Sequence, residues 1–119
     1  MSDILNPVEA EALIRQHADD IARGVPIVSN EHAKFVAADR VYDLAYARAY
    51  MAHEGPAHEK RYAADIATAA EREARDIADV AYQHARRTAK ALEGQLMAAQ
   101  SISKSVRAMY GAAGVQEGA

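Results

Sequence analysis

Apolar residues recur every three or four positions along most of the chain, which is the spacing of one helix face. The pattern is clearest in the middle of the chain, at Phe35, Ala38, Tyr42, Ala45 and Ala49. It resumes after Gly55-Pro56 and continues to about residue 110. No alternating stretch has a partner with which to form a sheet. The sequence therefore predicts an all-α fold built around a long antiparallel helical hairpin.

Turn and cap residues predict where the helices begin and end. Asn6-Pro7 with Glu9 is typical of a capping box, which predicts a short N-terminal helix over residues 7–23. Gly24 then ends that helix, and residues 24–29 read as a linker. The hairpin arms are expected at 30–54 and 57–110, followed by a flexible tail at 112–119. The chain thus reads as one helical domain over 1–119, with residues 1–29 before the hairpin of 30–111.

The two predicted arms differ in length. At 1.5 Å per residue, the second arm would be roughly 80 Å long and the first roughly 37 Å. The N-terminal helix, at roughly 25 Å, is too short to cover the difference. An uncovered apolar stripe is unfavourable in water. We therefore expect a homo-oligomer whose interface contains the large apolar residues of the overhang: Leu92, Leu96, Ile102, Val106 and Met109.

The composition supports a thin helical protein. Of 119 residues, 29 are alanine and five are leucine, and alanine favours helix while burying little area. The absence of cysteine excludes disulfides and suits a reducing compartment. No signal-peptide pattern or membrane-spanning run is present. A cytoplasmic location is expected.

Charge is distributed unevenly. Residues 1–33 carry a formal charge of −4 and residues 84–116 carry +4, although the whole chain is −3. A stripe of bases along a helix can neutralise phosphates, but it can equally be a solvated face. The candidate nucleic-acid-binding residues are Arg86, Arg87, Lys90, Lys104 and Arg107.

Other candidate chemistry has simpler interpretations. The histidines around the turn, His53 and His58, lack the spacing of a metal site. Tyr42, Tyr46 and Tyr50 are expected to pack against alanine-rich surface, although tyrosines can also stack on bases. No motif for a catalytic nucleophile, a phosphate-binding loop or a dinucleotide site occurs. We expect a protein that is not an enzyme and has no catalytic residues, metal or cofactor.

The segments Tyr42–Tyr50 and Ala91–Arg107 complete a layout of arm, turn, charged arm and a Leu-x-x-x-Leu step into a Ser/Lys/Arg segment. Over residues 34–111 this layout resembles small helical proteins of tailed phages, and among them the UvsY-type recombination mediators. The resemblance implies an oligomer that binds single-stranded DNA and helps to load a recombinase. It places Lys104 and Arg107 in the family's C-terminal helix, and it implies the bacterial host cytoplasm as location.

Two functions follow from the sequence. The first is a non-enzymatic accessory of phage DNA recombination, which self-assembles, binds single-stranded DNA and contacts a recombinase. The alternative is a protein–protein interaction module without nucleic-acid binding, such as a phage inhibitor of a host protein or a small assembly factor. DNA titration discriminates between them.

Overall fold

The computed structural model describes the backbone of residues 5–118 and the side chains of residues 5–112. All regular elements in this part of the chain are helices: α1 (Pro7–Ala52), α2 (Ala57–Ala67) and α3 (Ala69–Gly118). The predicted all-α helical hairpin is confirmed.

The predicted N-terminal cap is present. The backbone N–H of Glu9 donates to Asn6 Oδ1 at 2.8 Å, and the backbone N–H of Asn6 donates to Glu9 Oε2 at 3.2 Å. This reciprocal pair satisfies two backbone donors of the first turn, which is how a capping box stabilises a helix start. Helix α1 therefore begins where the sequence predicted.

The predicted linker at residues 24–29 is wrong, because α1 continues through it and includes Pro26. The helix predicted at 7–23 and the arm predicted at 30–54 are one helix. A proline inside a helix costs about 3 kcal/mol, since it removes one backbone hydrogen bond. Around Pro26, however, Ile21, Gly24 and Val28 keep the three-to-four spacing of half-buried positions. Tertiary packing along that line favours continuing the helix.

The hairpin turn lies where the sequence placed it, between Ala52 and Ala57. Gly55 has a φ of +145°, a conformation that is accessible to glycine and costly for other residues. A Cβ at this position would also collide with the Glu59 carboxylate. Pro56 follows as the N-cap of α2.

The predicted single arm at 57–110 is divided at Thr68. The Thr68 hydroxyl donates to the backbone oxygen of Ala64 at 2.6 Å, and Thr68 is 2% exposed. Such a bond competes with the helical pattern and bends helices. The backbone bonds from Thr68 to Ala64 and from Arg72 to Thr68 are both 3.0 Å, so the interruption is limited to one residue.

The predicted stop at Gly111 is also wrong, because the described backbone of the predicted tail, residues 112–118, is helical. Helix α3 runs to Gly118, and a glycine in a helix interior costs only about 1 kcal/mol. Ala119 and the side chains of residues 113–118 lie outside the described part of the chain.

The chain divides into two compact units. The first unit contains α1 up to Val25 and α3 from Arg87 onward, and the second unit contains residues 26–86. Each unit is an antiparallel pair of helical segments, and each is described separately below.

In the second unit the helices meet along a line of small and aromatic residues. Ala64 is fully buried and Ala85 is 8% exposed. On α1, Phe35 stacks on Tyr82 with 6.2 Å between ring centroids. The Arg75 guanidinium lies 4.5 Å from the Tyr42 ring centroid. Alternating three- and four-residue steps along both helices are the spacing of a coiled-coil seam.

Arg75 is the charged residue of this seam. It lies 3.8 Å from the Asp39 carboxylate and donates hydrogen bonds to Asp76 at 3.4 and 3.2 Å. The hydrogen bond with Asp76 raises the pKa of Arg75 above its ordinary value. Across the helix pair, Arg75 contacts both Asp39 and the Tyr42 ring, and both contacts favour the observed antiparallel register.

Candidate nucleic-acid interface

The first unit has a regular seam that positions its charged flank. On α3, every residue from Ala89 to Val106 is exposed except those at alternating three- and four-residue steps. The buried and half-buried positions of that stretch are Ala89, Leu92, Leu96, Ala99, Ser103 and Val106. On α1, Ala10 is 1% exposed and Ile14 and His17 are half-buried. The bases of α3 therefore lie beside the seam.

Two of the predicted basic residues line a groove next to this seam. Lys104 and Arg107 share a concavity with Ile14 of α1. The other lining residues are Met97, Gln100 and Ser101. The groove thus has an apolar part, a part with neutral hydrogen-bonding groups and two exposed cations.

A third cation joins the groove from the opposite helix. Arg15 lines an adjoining concavity with Glu11, Ile14 and Arg107. Ile14 and Arg107 are common to both concavities, so the surface is continuous. Arg15, Lys104 and Arg107 converge on it, and we call it the basic groove. Glu11 is the acidic group on its rim.

Arg107 is oriented by a buried hydroxyl. Its Nη2 donates to Ser103 Oγ at 3.1 Å, and Ser103 is 1% exposed. A hydrogen bond to a charged donor is stronger than a neutral one, so the guanidinium is held toward the groove. The alternating serines in the sequence thus have different roles: Ser103 lies in the seam, whereas Ser101 and Ser105 are exposed.

Arg87 and Lys90 are exposed on α3 of the first unit. Lys90 precedes Lys104 by 14 residues, close to four helical turns, so the two ammonium groups share one side of α3 at roughly 21 Å separation. Glu93 is exposed on the stretch between them. Lys90 and Lys104 thus lie along one side of the first unit, with one acidic residue between them.

Arg86 belongs to the second unit. Its guanidinium carbon lies 5.5 Å from the centroid of the Tyr82 ring, a distance typical of a cation–π contact. Of the five predicted nucleic-acid-binding residues, four thus lie in the first unit and Arg86 packs on an aromatic ring of the second.

The predicted oligomer interface is partly occupied within the chain. Val106 is 5% exposed, and Leu92 and Leu96 are half-buried in the first unit's seam. The N-terminal segment was expected to be too short to cover the overhang, but α1 up to Val25 packs with α3 from Arg87 onward in this unit. Ile102 and Met109 remain 43% and 53% exposed.

The tyrosine stripe packs within the second unit. Ring centroids are 6.1 Å apart between Tyr42 and Tyr46 and 6.3 Å apart between Tyr46 and Tyr50. Lys60 Nζ lies 5.7 Å from the Tyr50 ring centroid. All three rings are half-buried, as expected for packing rather than for stacking on bases.

The turn histidine His53 lies 3.7 Å from the Glu59 carboxylate. Across the described residues, His, Asp and Glu form no group of three or more that could hold a metal ion. None of the helices in the described chain is long and apolar enough to cross a membrane.

Sequence reasoning missed Arg15. It counted this residue within the acidic first third of the chain, because the partner of that segment was unknown. The signal available was that Arg15 directly follows the seam residue Ile14, which places it on a flank of the helix. The antiparallel register decides which basic residues of α3 lie near Arg15, and local sequence does not specify that register.

Comparisons with protein-family models, with curated proteins and with solved structures gave no match. The geometry of the described residues is therefore the basis on which candidate functions are weighed.

Proposed function

We propose that this protein is a non-enzymatic accessory of phage DNA recombination, which self-assembles and holds single-stranded DNA to assist a recombinase. The convergence of Arg15, Lys104 and Arg107 on the basic groove is the observation that carries the proposal. Cations that line an open surface neutralise successive phosphates, and this interaction is independent of sequence. The resemblance of residues 34–111 to the recombination mediators supports the same role.

The groove favours a single strand over a duplex. Ile14 and Met97 line it between the cations, and Met97 is 67% exposed. A single strand can turn its bases onto apolar side chains, as it does on other single-strand-binding surfaces. A duplex keeps its bases stacked inside and presents mainly phosphates.

A titration of labelled single-stranded DNA at several salt concentrations tests the proposal. Replacing Lys104 and Arg107 by Ala should weaken binding and flatten the salt slope by up to ~0.7 for each phosphate that is no longer neutralised. Arg15→Ala should have the same kind of effect, because Arg15 lines the same groove.

The matched control is Arg40→Ala, which removes one exposed charge from the second unit. It should leave the salt slope unchanged. Absence of binding at low salt would refute the proposal. An equal reduction by Arg40→Ala would assign the effect to net charge rather than to the groove.

The recombinase part has its own test. Single-stranded DNA covered with a single-strand-binding protein should accept the recombinase faster when this protein is added. The Lys104→Ala/Arg107→Ala variant should lose that acceleration. If the parent binds DNA but never accelerates loading, the protein is a DNA binder without the mediator role.

A protein–protein interaction module is the second candidate. The exposed apolar residues of the second unit and the charge of −4 over residues 1–33 favour it. It requires no DNA affinity at any salt concentration, so the same titration separates the two functions.

A further inference from the structure

One open face of the second unit is apolar. Val41, Leu44 and Met51 of α1 are 57%, 52% and 77% exposed. Ile77 and Val80 of α3 are 63% and 69% exposed. Contiguous exposed apolar surface of this kind marks an interaction site more often than an ordinary protein surface.

The register places these residues on the same face of the helix pair. Val41 and Leu44 each precede a half-buried position of α1 by one residue, and Ile77 stands in the same relation to Ala78 of α3. An antiparallel pair has an approximate two-fold axis through its open faces. Positions one residue before the seam therefore lie on one face in both helices, and Val80 lies at its edge, three residues beyond Ile77.

Contacts within the chain lie on the opposite face of the second unit. Arg75 reaches Asp39 at 3.8 Å, and the rings of His32 and Tyr82 are 4.8 Å apart. A helix that is apolar both at its seam and along one flank is typical of bundles with more than two helices, in which each helix has more than one neighbour. The arms of the second unit have this pattern, although the unit contains only two arms.

The exposed stripes of α1 and α3 complement each other. The α1 stripe and the α3 stripe each have steps of three, four and three residues and one charged residue. Their residues are Val41, Leu44, Arg48 and Met51 on α1, and Ala70, Glu73, Ile77 and Val80 on α3. With α1 read forward and α3 read backward, the facing positions are Val41 with Val80, Leu44 with Ile77, Arg48 with Glu73, and Met51 with Ala70. Every apolar residue then faces an apolar residue, and the two opposite charges face each other.

This pairing does not occur within one chain. Within one chain, Asp39 is paired with Arg75. Because the two arms are antiparallel, moving nine residues forward on α1 from Asp39 to Arg48 corresponds to moving nine residues back from Arg75 to position 66. Arg48 therefore lies opposite position 66. Glu73 is then about two helical turns, or roughly 10 Å, from the level of Arg48. The complementary stripes must belong to different molecules if they meet.

We infer that the apolar face of the second unit binds a second copy of this chain, with α1 of each copy packed antiparallel on α3 of the other. The result is a two-fold symmetric four-helix arrangement in which each Arg48 faces Glu73 of the other copy. A two-fold interface uses the same patch on both partners, which is why both complementary stripes lie on one face. The inference deepens the self-assembly in the proposed function and is independent of the basic groove.

Solution mass and one charge-introducing variant form the first test. Light scattering or sedimentation should give twice the 12.9 kDa of one chain. Leu44→Glu should raise the dissociation constant by at least about tenfold, because it removes a buried leucine and buries an unpaired carboxylate at both symmetric sites. Asp43→Lys is the control, because Asp43 is exposed on α1 about 100° around the helix from Leu44 and away from the stripe. It should keep the parent mass.

Charge reversal supplies the second test and distinguishes the two stripes. Arg48→Glu and Glu73→Arg should each weaken self-association, because each places like charges together twice in a symmetric dimer. Mixing the two variants should restore a dimer that contains one copy of each, because both of its contacts between positions 48 and 73 then join opposite charges. The double variant Arg48→Glu/Glu73→Arg should also form a dimer with itself, because every contact between positions 48 and 73 is again opposite in charge. Native mass spectrometry of each variant measures the dimer.

A monomeric parent at high micromolar concentration would overturn the inference. A double variant that stays as weakened as the single variants would also overturn it, because positions 48 and 73 would then not face each other. Circular dichroism of each variant verifies that helix content is retained. DNA titration of the same variants is a separate measurement, and absence of DNA binding with retained dimerisation would contradict the proposed function alone.

Discussion

The two units follow the same construction but differ in what surrounds the seam. Both are antiparallel pairs with alternating three- and four-residue steps of buried positions. In the first unit, the seam contains aliphatic residues such as Leu96 and Val106, and the flank carries the basic groove. In the second unit, the seam contains Arg75 and aromatic rings, and one flank is apolar. In an alanine-rich hairpin the seam holds the helices together, while the residues on the flanks determine what kind of partner each unit can bind.

The largest effect is expected from a charge in the first unit's seam. Val106→Asp should destabilise the protein by about 3–5 kcal/mol, because a carboxylate without a partner would be buried beside Ser103 and Ala99. Hydrogen exchange should show the reduced protection concentrated in α3 beyond Arg87, since the second unit's seam does not contain Val106. The exposed Ala108→Asp is the control and should change stability by less than about 0.5 kcal/mol. Equal effects of the two variants would show that the seam assignment is wrong.

The turn of the second unit should be the next most sensitive position. Gly55→Ala should cost about 1–3 kcal/mol, because alanine rarely adopts a φ of +145° and its Cβ meets the Glu59 carboxylate. Urea denaturation measures the change in the free energy of unfolding. A neutral result would mean that the turn adopts another conformation.

A polar atom in the first unit's seam should be dispensable for stability. His17 Nδ1 is buried and has no hydrogen-bond partner among the described residues. An unsatisfied buried group costs about 1–3 kcal/mol, so His17→Leu should stabilise the protein by about 1 kcal/mol in thermal denaturation. His84→Leu, at an exposed position of the second unit, should be nearly neutral. If His17→Leu destabilises, the imidazole has a role in the first unit that packing alone does not explain.

The smallest expected effect compares two glycines. Gly94 lies inside α3 of the first unit, and a Cβ there would meet no atom within 4 Å. Gly94→Ala should stabilise by roughly 0.5–1 kcal/mol through helix propensity, the opposite sign to Gly55→Ala. The same denaturation measurement checks both. A decrease in stability at Gly94 would indicate that another molecule approaches α3 closely there.

Much of the fold could be predicted from local sequence. The capping box of Asn6 and Glu9 and the Gly55-Pro56 turn depend on neighbouring residues, and both are present in the structure. The half-buried positions of α1, such as Ala38 and Ala45, also follow the predicted helix face. The candidate site was predicted in part: Lys104 and Arg107 line the groove, whereas Arg86 packs on Tyr82.

The helical period, the Gly55-Pro56 turn and the bases of α3 could be read from local sequence, because they depend on residue type and short spacing. The continuation of α1 through Pro26 and the place of Arg15 in the basic groove depend on tertiary packing instead. A helix continues past a proline when packing along its seam exceeds a cost of about 3 kcal/mol. That packing depends on residues of α3 that are distant along the chain, which no local pattern specifies.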